Sequence, residues 1–156
     1  MKKKLSILLY AAVAVLVIYL GVTYLQKAQR VRGEDFMEMR DFSVTSGSFF
    51  MMYLAENNQW VQASKEFDTS TRLSVKDGVF SIRLADERVH LTVGPQITPT
   101  VVEDTEYGKM KYVMYGAIGN NKMFNVILVD YEDPRVADRI VIHAIGTRKS
   151  IVYNLF

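Results

Sequence analysis

Three groups of residues in this chain are of types that could do chemistry. His90 and His143 are the two histidines. An imidazole pair can ligate a metal when a carboxylate converges on it. Each falls on the polar phase of an alternating run, so the expectation is two solvated histidines and no metal. Asp130, Glu132, Asp133 and Asp138 form the densest acidic group, in VDYEDPRVAD. Carboxylates so placed could hold calcium or divide the work of acid and base. Pro134, the flanking strands and the interleaved Arg135 and Arg139 read instead as a solvated, partly neutralised turn. The third group is Phe49, Phe50, Met51, Met52 and Tyr53 with Trp60. Its chemistry is contact: rings carry large buried areas and thioethers adapt to irregular surfaces. An apolar run without alternation cannot lie on one side of a sheet. Either both faces are covered or some of these residues are exposed, which makes the six the expected partner or ligand contact. Met110, Tyr112, Met114 and Tyr115 form a second such cluster, expected across from the first.

Catalytic signatures are missing. There is no Gly-rich phosphate loop, no HExxH, no Gly-x-Ser-x-Gly and no acidic calcium loop. The chain has no Cys, which excludes a thiol nucleophile, thiolate zinc and a disulfide scaffold. The expectation is therefore a protein that is not an enzyme, with no catalytic residue and no cofactor. Formal net charge is +2, from 19 basic and 17 acidic residues. Without Lys2, Lys3 and Lys4 the balance is 16 against 17, and the charges are interspersed along the chain. Nucleic-acid binding needs a clustered basic face, so it is not expected.

The elements that must position these residues begin with Leu5 to Leu25, an uncharged run of 21 residues. As a helix it rises about 31 Å, close to the thickness of a bilayer core. A single transmembrane helix is expected, with the lipid bilayer as partner through residues 5–25. A cleaved signal peptide fits less well, because the run is too long and lacks a small-x-small cleavage site. The span carries no ionisable group that would suggest a transport path. The tight Lys2–Lys4 tip (residues 1–4) favours a cytoplasmic N-terminus. The rest then lies outside the cytoplasm, most simply at a bacterial inner membrane. Residues 26–41 read as a juxtamembrane stalk in which Phe36, Met37 and Met39 pack on the domain or rest on lipid.

Residues 42–156 alternate apolar and polar side chains, as in Leu73/Val75, Phe80/Ile82/Leu84 and Val89/Leu91/Val93. Turn chemistry separates the runs, as in Lys76-Asp77-Gly78, Ala85-Asp86-Glu87 and Gly119-Asn120-Asn121-Lys122. The pattern predicts a mainly β domain of eight to ten strands, an antiparallel meander closing as a barrel or folding as a sandwich. An α+β domain is the second choice. Residues 48–67 are expected to form a hairpin turning at Glu56-Asn57-Asn58 rather than a helix. Pro134 to Arg139 is read as a possible helical turn. Gly94 to Tyr107, with Pro95 and Pro99, is expected to be an irregular loop.

Two short stretches, Val89-His90-Leu91-Thr92-Val93-Gly94-Pro95 and Gly116-Ala117-Ile118-Gly119, resemble segments of the small inner-membrane assembly factors of cytochrome oxidase. The resemblance stops there. The interval before these stretches differs, and residues 79–93 alternate as strands, so the chain is not placed in that family. The expected function is a membrane-anchored, non-enzymatic binding module, an accessory or assembly subunit with membrane or periplasmic protein partners. The alternative is a tethered β-barrel that binds a lipid or another apolar small molecule.

Overall fold

Period-two patterning becomes eleven strands in the computed structural model, which describes residues 36–84 and 87–155. They are β1 (Phe42–Leu54), β2 (Trp60–Gln62), β3 (Phe67–Asp68), β4 (Arg72–Lys76), β5 (Val79–Leu84), β6 (Glu87–Gln96), β7 (Val101–Thr105), β8 (Gly108–Gly119), β9 (Lys122–Tyr131), β10 (Asp138–Ala144) and β11 (Lys149–Leu155). Eight of them, in the order β1-β4-β5-β6-β8-β9-β10-β11, form an antiparallel barrel that closes where β11 pairs back with β1. Closure removes the free edges that an open sandwich would leave. The short β2 and β3 continue the edge of β1 beyond β4, and β7 does the same for β8 beside β6. The expected span Leu5–Leu25, the tip 1–4, the stalk as far as residue 35 and the Ala85-Asp86 turn lie outside the described residues. Among the described residues, no helix is long and apolar enough to cross a membrane, and helical geometry is confined to Phe36 and Met37.

The hairpins follow their turn residues. Asp77 and Gly78 have φ of 51° and 74°, and Asn120 and Asn121 have 49° and 59°. These left-handed pairs match the right-handed twist of the strands they join. At Gly119 the reason for glycine is space: a Cβ would lie 2.5 Å from Leu91 Cδ2 and 2.7 Å from the His90 carbonyl oxygen.

One irregularity decides which side chains enter the barrel. Ser46 pairs with Leu155 but Ser48 pairs with Asn154, so β1 holds one extra residue, a bulge. Ser46 Oγ lies 2.6 Å from the Ser48 carbonyl and 2.9 Å from that of Asn154, giving its buried hydroxyl a partner at the kink. Before the bulge Phe42, Val44 and Ser46 share the inner face of β4. After it the phase flips, and Phe49, Met51 and Tyr53 share a face with Tyr153 and Ile151.

The interior is one apolar cluster built from Phe42, Leu73, Val75, Phe80, Leu91, Val113, Tyr115, Ala117, Val126, Leu128, Ile140 and Ile142, with Tyr153 and Leu155 half-buried against it. Phe80, Leu73, Leu128 and Ile140 are 0% exposed. Burying each such side chain contributes about 1.5–3 kcal/mol. The packing starts before β1. Phe36 and Met39 are buried in the same cluster, and the Phe36 ring meets Phe42 edge-on at 5.3 Å. Tyr115 Oη donates to the Met37 carbonyl at 3.0 Å. These residues close the end at which the chain enters, alongside the 77–78 and 132–137 turns. The 55–59, 119–122 and 145–148 turns lie at the far end.

The 48–67 segment is a hairpin: Met52 to Leu54 pair with Trp60 to Gln62, and Ala55 N–H donates to the Gln59 carbonyl at 2.9 Å. The expected irregular loop at 94–107 is mostly strand instead. Pro95 sits within β6 at the register shift between Val93 and Gln96, where the ladder needs no donor from it. Pro134 to Arg139 makes a turn, with Val136 N–H reaching the Asp133 carbonyl at 3.1 Å, and then enters β10.

Candidate functional site

β1 carries five of the six expected contact residues and β2 carries the sixth, Trp60, and strand alternation divides them. Phe49, Met51 and Tyr53 point to the inner face; Phe50 and Met52 point outward, as does Trp60 through its pairing with Leu54. Phe49 stacks on Phe67 at 5.4 Å and lies 6.0 Å from Tyr153. Burial pushes the Tyr153 phenol above its ordinary pKa of 10.0. So the apolar run serves both faces of the wall, and no single surface gathers all six residues.

The outer face across β1, β11, β10, β9 and β8 is ordered in three rows. The middle row is Phe50, Val152, Val141, Ile127 and Met114, each opposite the next. The row toward the far end is Met52, Ser150, His143, Asn125 and Gly116. The row toward the entry end is Ser48, Asn154, Arg139, Val129 and Tyr112. Though the middle row is outside the barrel, Val152 is 1% exposed. Its neighbours cover it. The Arg139 guanidinium carbon sits 5.9 Å from the Phe50 ring centre and 5.5 Å from that of Tyr131, a cation held between two π faces.

A polar relay fixes that cation. Arg139 Nε donates to Asn154 Oδ1 at 3.2 Å and Nη1 donates to Tyr131 Oη at 3.3 Å. Asn154 Nδ2 donates to Glu66 Oε1 at 2.6 Å and to Ser48 Oγ at 3.0 Å. The Ser48 hydroxyl donates to the same Glu66 oxygen. One buried amide thus stands between a cation and a carboxylate and uses its acceptor on one and its donors on the other. The relay ties the 63–66 segment, which has no strand of its own, to the barrel wall. It contains no nucleophile beside a base, so its chemistry is binding and positioning.

At the far end the outer face becomes exposed and apolar. Ile118 and Met123 are opposite each other on the β8–β9 hairpin, 59% and 56% exposed. Ile145 N–H donates to the Met123 carbonyl at 2.9 Å, and Leu54 N–H donates to the Arg148 carbonyl at 2.8 Å, which joins the three far-end turns side by side. Trp60 meets the edge of His143 at 5.3 Å. His143 Nδ1 lies 3.1 Å from the Lys149 carbonyl and 3.2 Å from Ser150 Oγ. Between this edge and Gly116, Asn125 Oδ1 is buried with no hydrogen-bond partner among the described residues.

The remaining candidates have local duties. His90 is exposed on β6 and bonds Ser81 at 2.9 Å, separated from His143 by β8 and β9. Asp133 takes a fork of bonds from Arg135, at 2.6 Å from Nη2, which raises the arginine's pKa. Asp138 accepts the Tyr131 N–H and Glu132 accepts the Lys109 N–H, as expected of a turn. Arg139, expected at that turn, also reaches the Asn154 relay. Met110, Tyr112 and Met114 share the outer face with Phe50, with β9, β10 and β11 between, while Tyr115 belongs to the core. Tyr112 donates to Glu103 at 3.2 Å, a bond that raises its pKa. Among the described residues, no group of three His, Asp or Glu could hold a metal ion. Sequence reasoning missed Ser48, Glu66 and Asn154, and assigned Arg139 to the acidic turn without its place in the relay. The one available signal was Asn154 between the apolar Tyr153 and Leu155 of β11.

No protein family matches the chain, and neither a curated protein nor a solved structure is significantly similar to it.

Proposed function

We propose that this chain is a membrane-anchored, non-enzymatic binding module that serves as an accessory or assembly subunit of a membrane protein complex. Residues 5–25 anchor it, the N-terminus is cytoplasmic and the β domain faces the extracytoplasmic side of a bacterial inner membrane. The observation that carries the reading is the exposed apolar strip Trp60, Ile118, Met123 and Ile145 on adjoining far-end turns, continuous with the outer rows from β1 to β8. Contiguous apolar surface of this kind marks interaction sites on soluble domains. The relay at Arg139 and the packed core give it a rigid backing, which lowers the ordering cost of docking. Anchoring raises the effective concentration of a weak binder at the membrane.

The test is native mass spectrometry of the full-length chain extracted gently from its own membrane, beside a Met123→Asp, Ile145→Asp double variant. A stoichiometric protein partner that the variant loses, with its thermal melt unchanged, is the expected result. A lone protomer in both would end the proposal.

A second reading has its own observation. The inward-facing Phe67, Tyr53 and Val89 at the far end stay 48%, 44% and 40% exposed, while Phe36 and Met39 close the entry end. The far end is thus an apolar mouth above the packed interior, and such a mouth suits contact with a lipid or other apolar small molecule. A small mass retained on a lone protomer would favour this reading.

A further inference from the structure

The side of the barrel opposite the apolar strip carries a different chemistry. Arg72 on β4 is directly opposite Arg83 on β5, and Arg83 is directly opposite Arg88 on β6. The three arginines form one row, all exposed. Their neighbours on the same outward face are Ser74 and Lys76 on β4, Val79 and Ser81 on β5, and His90 and Thr92 on β6. Ser43 and Thr45 of β1 extend the face, and Ser43 Oγ accepts the Arg72 Nε–H at 2.8 Å. Among the described residues, no outward position of β4, β5 or β6 from residue 72 to 92 is acidic. Like charges directly opposite each other on a sheet are destabilising, so a row of three arginines carries a cost.

We infer that this arginine row is a docking face for the anionic headgroups of the bilayer in which the chain is anchored. The ligand chemistry is phosphate: guanidinium forks pair with phosphate oxygens, and the surrounding hydroxyls donate to the rest. Two features of the chain favour a bilayer over other polyanions. The apolar run ends at Leu25 and the first packed residue is Phe36. The ten residues between span at most about 35 Å, which keeps the barrel next to the headgroups. The face also lacks what the alternatives need, since it presents no Phe, Tyr or Trp on which bases could stack and no apolar anchor beyond Val79 for a protein. In the ring order β5 stands opposite β10. Docking through β4–β6 therefore lays the barrel on its side and turns the strip of β8–β11 away from the membrane, toward a partner. The inference uses the anchor of the proposed function but not its protein partner.

Because the chain has no Cys, single labels can be placed at will. The full chain, with a fluorophore on Thr92→Cys or on Met123→Cys, is reconstituted into nanodiscs of phosphatidylcholine alone or with added phosphatidylglycerol. Energy transfer to a headgroup acceptor reports distance. The Thr92 label is expected to approach the headgroups only in the anionic discs, and to leave them in high salt. The Met123 label stays remote throughout. Replacing Arg72, Arg83 and Arg88 with Gln should lower the docked-to-free ratio about five-fold each, about a hundred-fold together, with the melt of the barrel retained as the folding control. Equal distances in both disc types, or equal approach of both labels, would overturn the inference. So would a DNA duplex that draws the Thr92 label from anionic discs and binds the chain in neutral ones. Retention of the chain in neutral discs reports the anchor separately. Should the chain not be retained, the same labels on anionic vesicles still read the face.

Discussion

Replacing Arg83 with Gln should stabilise the barrel, by an amount that salt controls. Arg83 lies between two like charges, Arg72 and Arg88, its register partners on either side. Directly opposed Cβ atoms are about 5 Å apart, and long side chains splay until their charges are roughly 7 Å apart. Two unit charges at that distance in water repel by about 0.6 kcal/mol. Two neighbours make about 1.2 kcal/mol at low ionic strength. Screening reduces this to about 0.5 kcal/mol at ~0.15 M salt and about 0.1 kcal/mol at ~1 M. Gln keeps part of the hydrocarbon stem and removes the charge. The expected gain is about 1 kcal/mol at low salt, which raises the melting temperature of a domain this size by about 4 °C. The assay is thermal unfolding of the full chain in a neutral detergent across a salt series, for both proteins. The two melting curves should converge as salt rises. A lower melting temperature for Arg83→Gln, or a shift indifferent to salt, would refute the reasoning. It would mean that the row is already compensated within the free protein, and the case for a headgroup face would lose its energetic half.

Three further expectations concern the wall itself. Gly119→Ala should destabilise the barrel by about 1–3 kcal/mol, because the new Cβ meets Leu91 and the His90 carbonyl; an unchanged denaturant midpoint would show that the β6–β8 contact yields freely. Asn154→Leu removes both bonds to Glu66 and Ser48 and the acceptor for Arg139, at about 1–3 kcal/mol, and hydrogen exchange should rise first in residues 63–69; protection unaltered there would remove the relay's role in holding that segment. Burial raises the Tyr153 phenol above 10.0. Below pH 10.0 both states are protonated and stability is fully present. Above it the unfolded chain ionises first and stability is lost until the folded pKa is passed. Tyr153→Phe should therefore flatten the alkaline decline in stability above pH 10, and parallel declines for the two proteins would contradict this.

What residue order alone determined is whatever depends on neighbours in the chain. Alternation of size and polarity sets strand existence, because a strand turns each side chain opposite to the last. Asp77-Gly78 and Asn120-Asn121 set two hairpins, because few residues accept left-handed geometry. The bonds from Arg135 to Asp133 and from the Tyr131 N–H to Asp138 were legible for the same reason, since both lie within the turn and the strands it joins, whereas the Glu132 bond to the Lys109 N–H reaches across to β8. The flip of phase at Ser46–Ser48 was not legible. It exists because β1 has to pair with β4 through its first part and with β11 through its second, a demand made by barrel closure. That flip sent Phe49 inward and Phe50 outward. Arg139, Asn154 and Glu66 meet across two strands and a connecting segment, at separations of 15 and 88 residues that no local pattern records. The arginine row shows the same division. Along the chain Arg72, Arg83 and Arg88 are scattered charges among serines and valines. Pairing in register places them shoulder to shoulder, so a face that composition reads as neutral becomes basic only once the sheet is assembled.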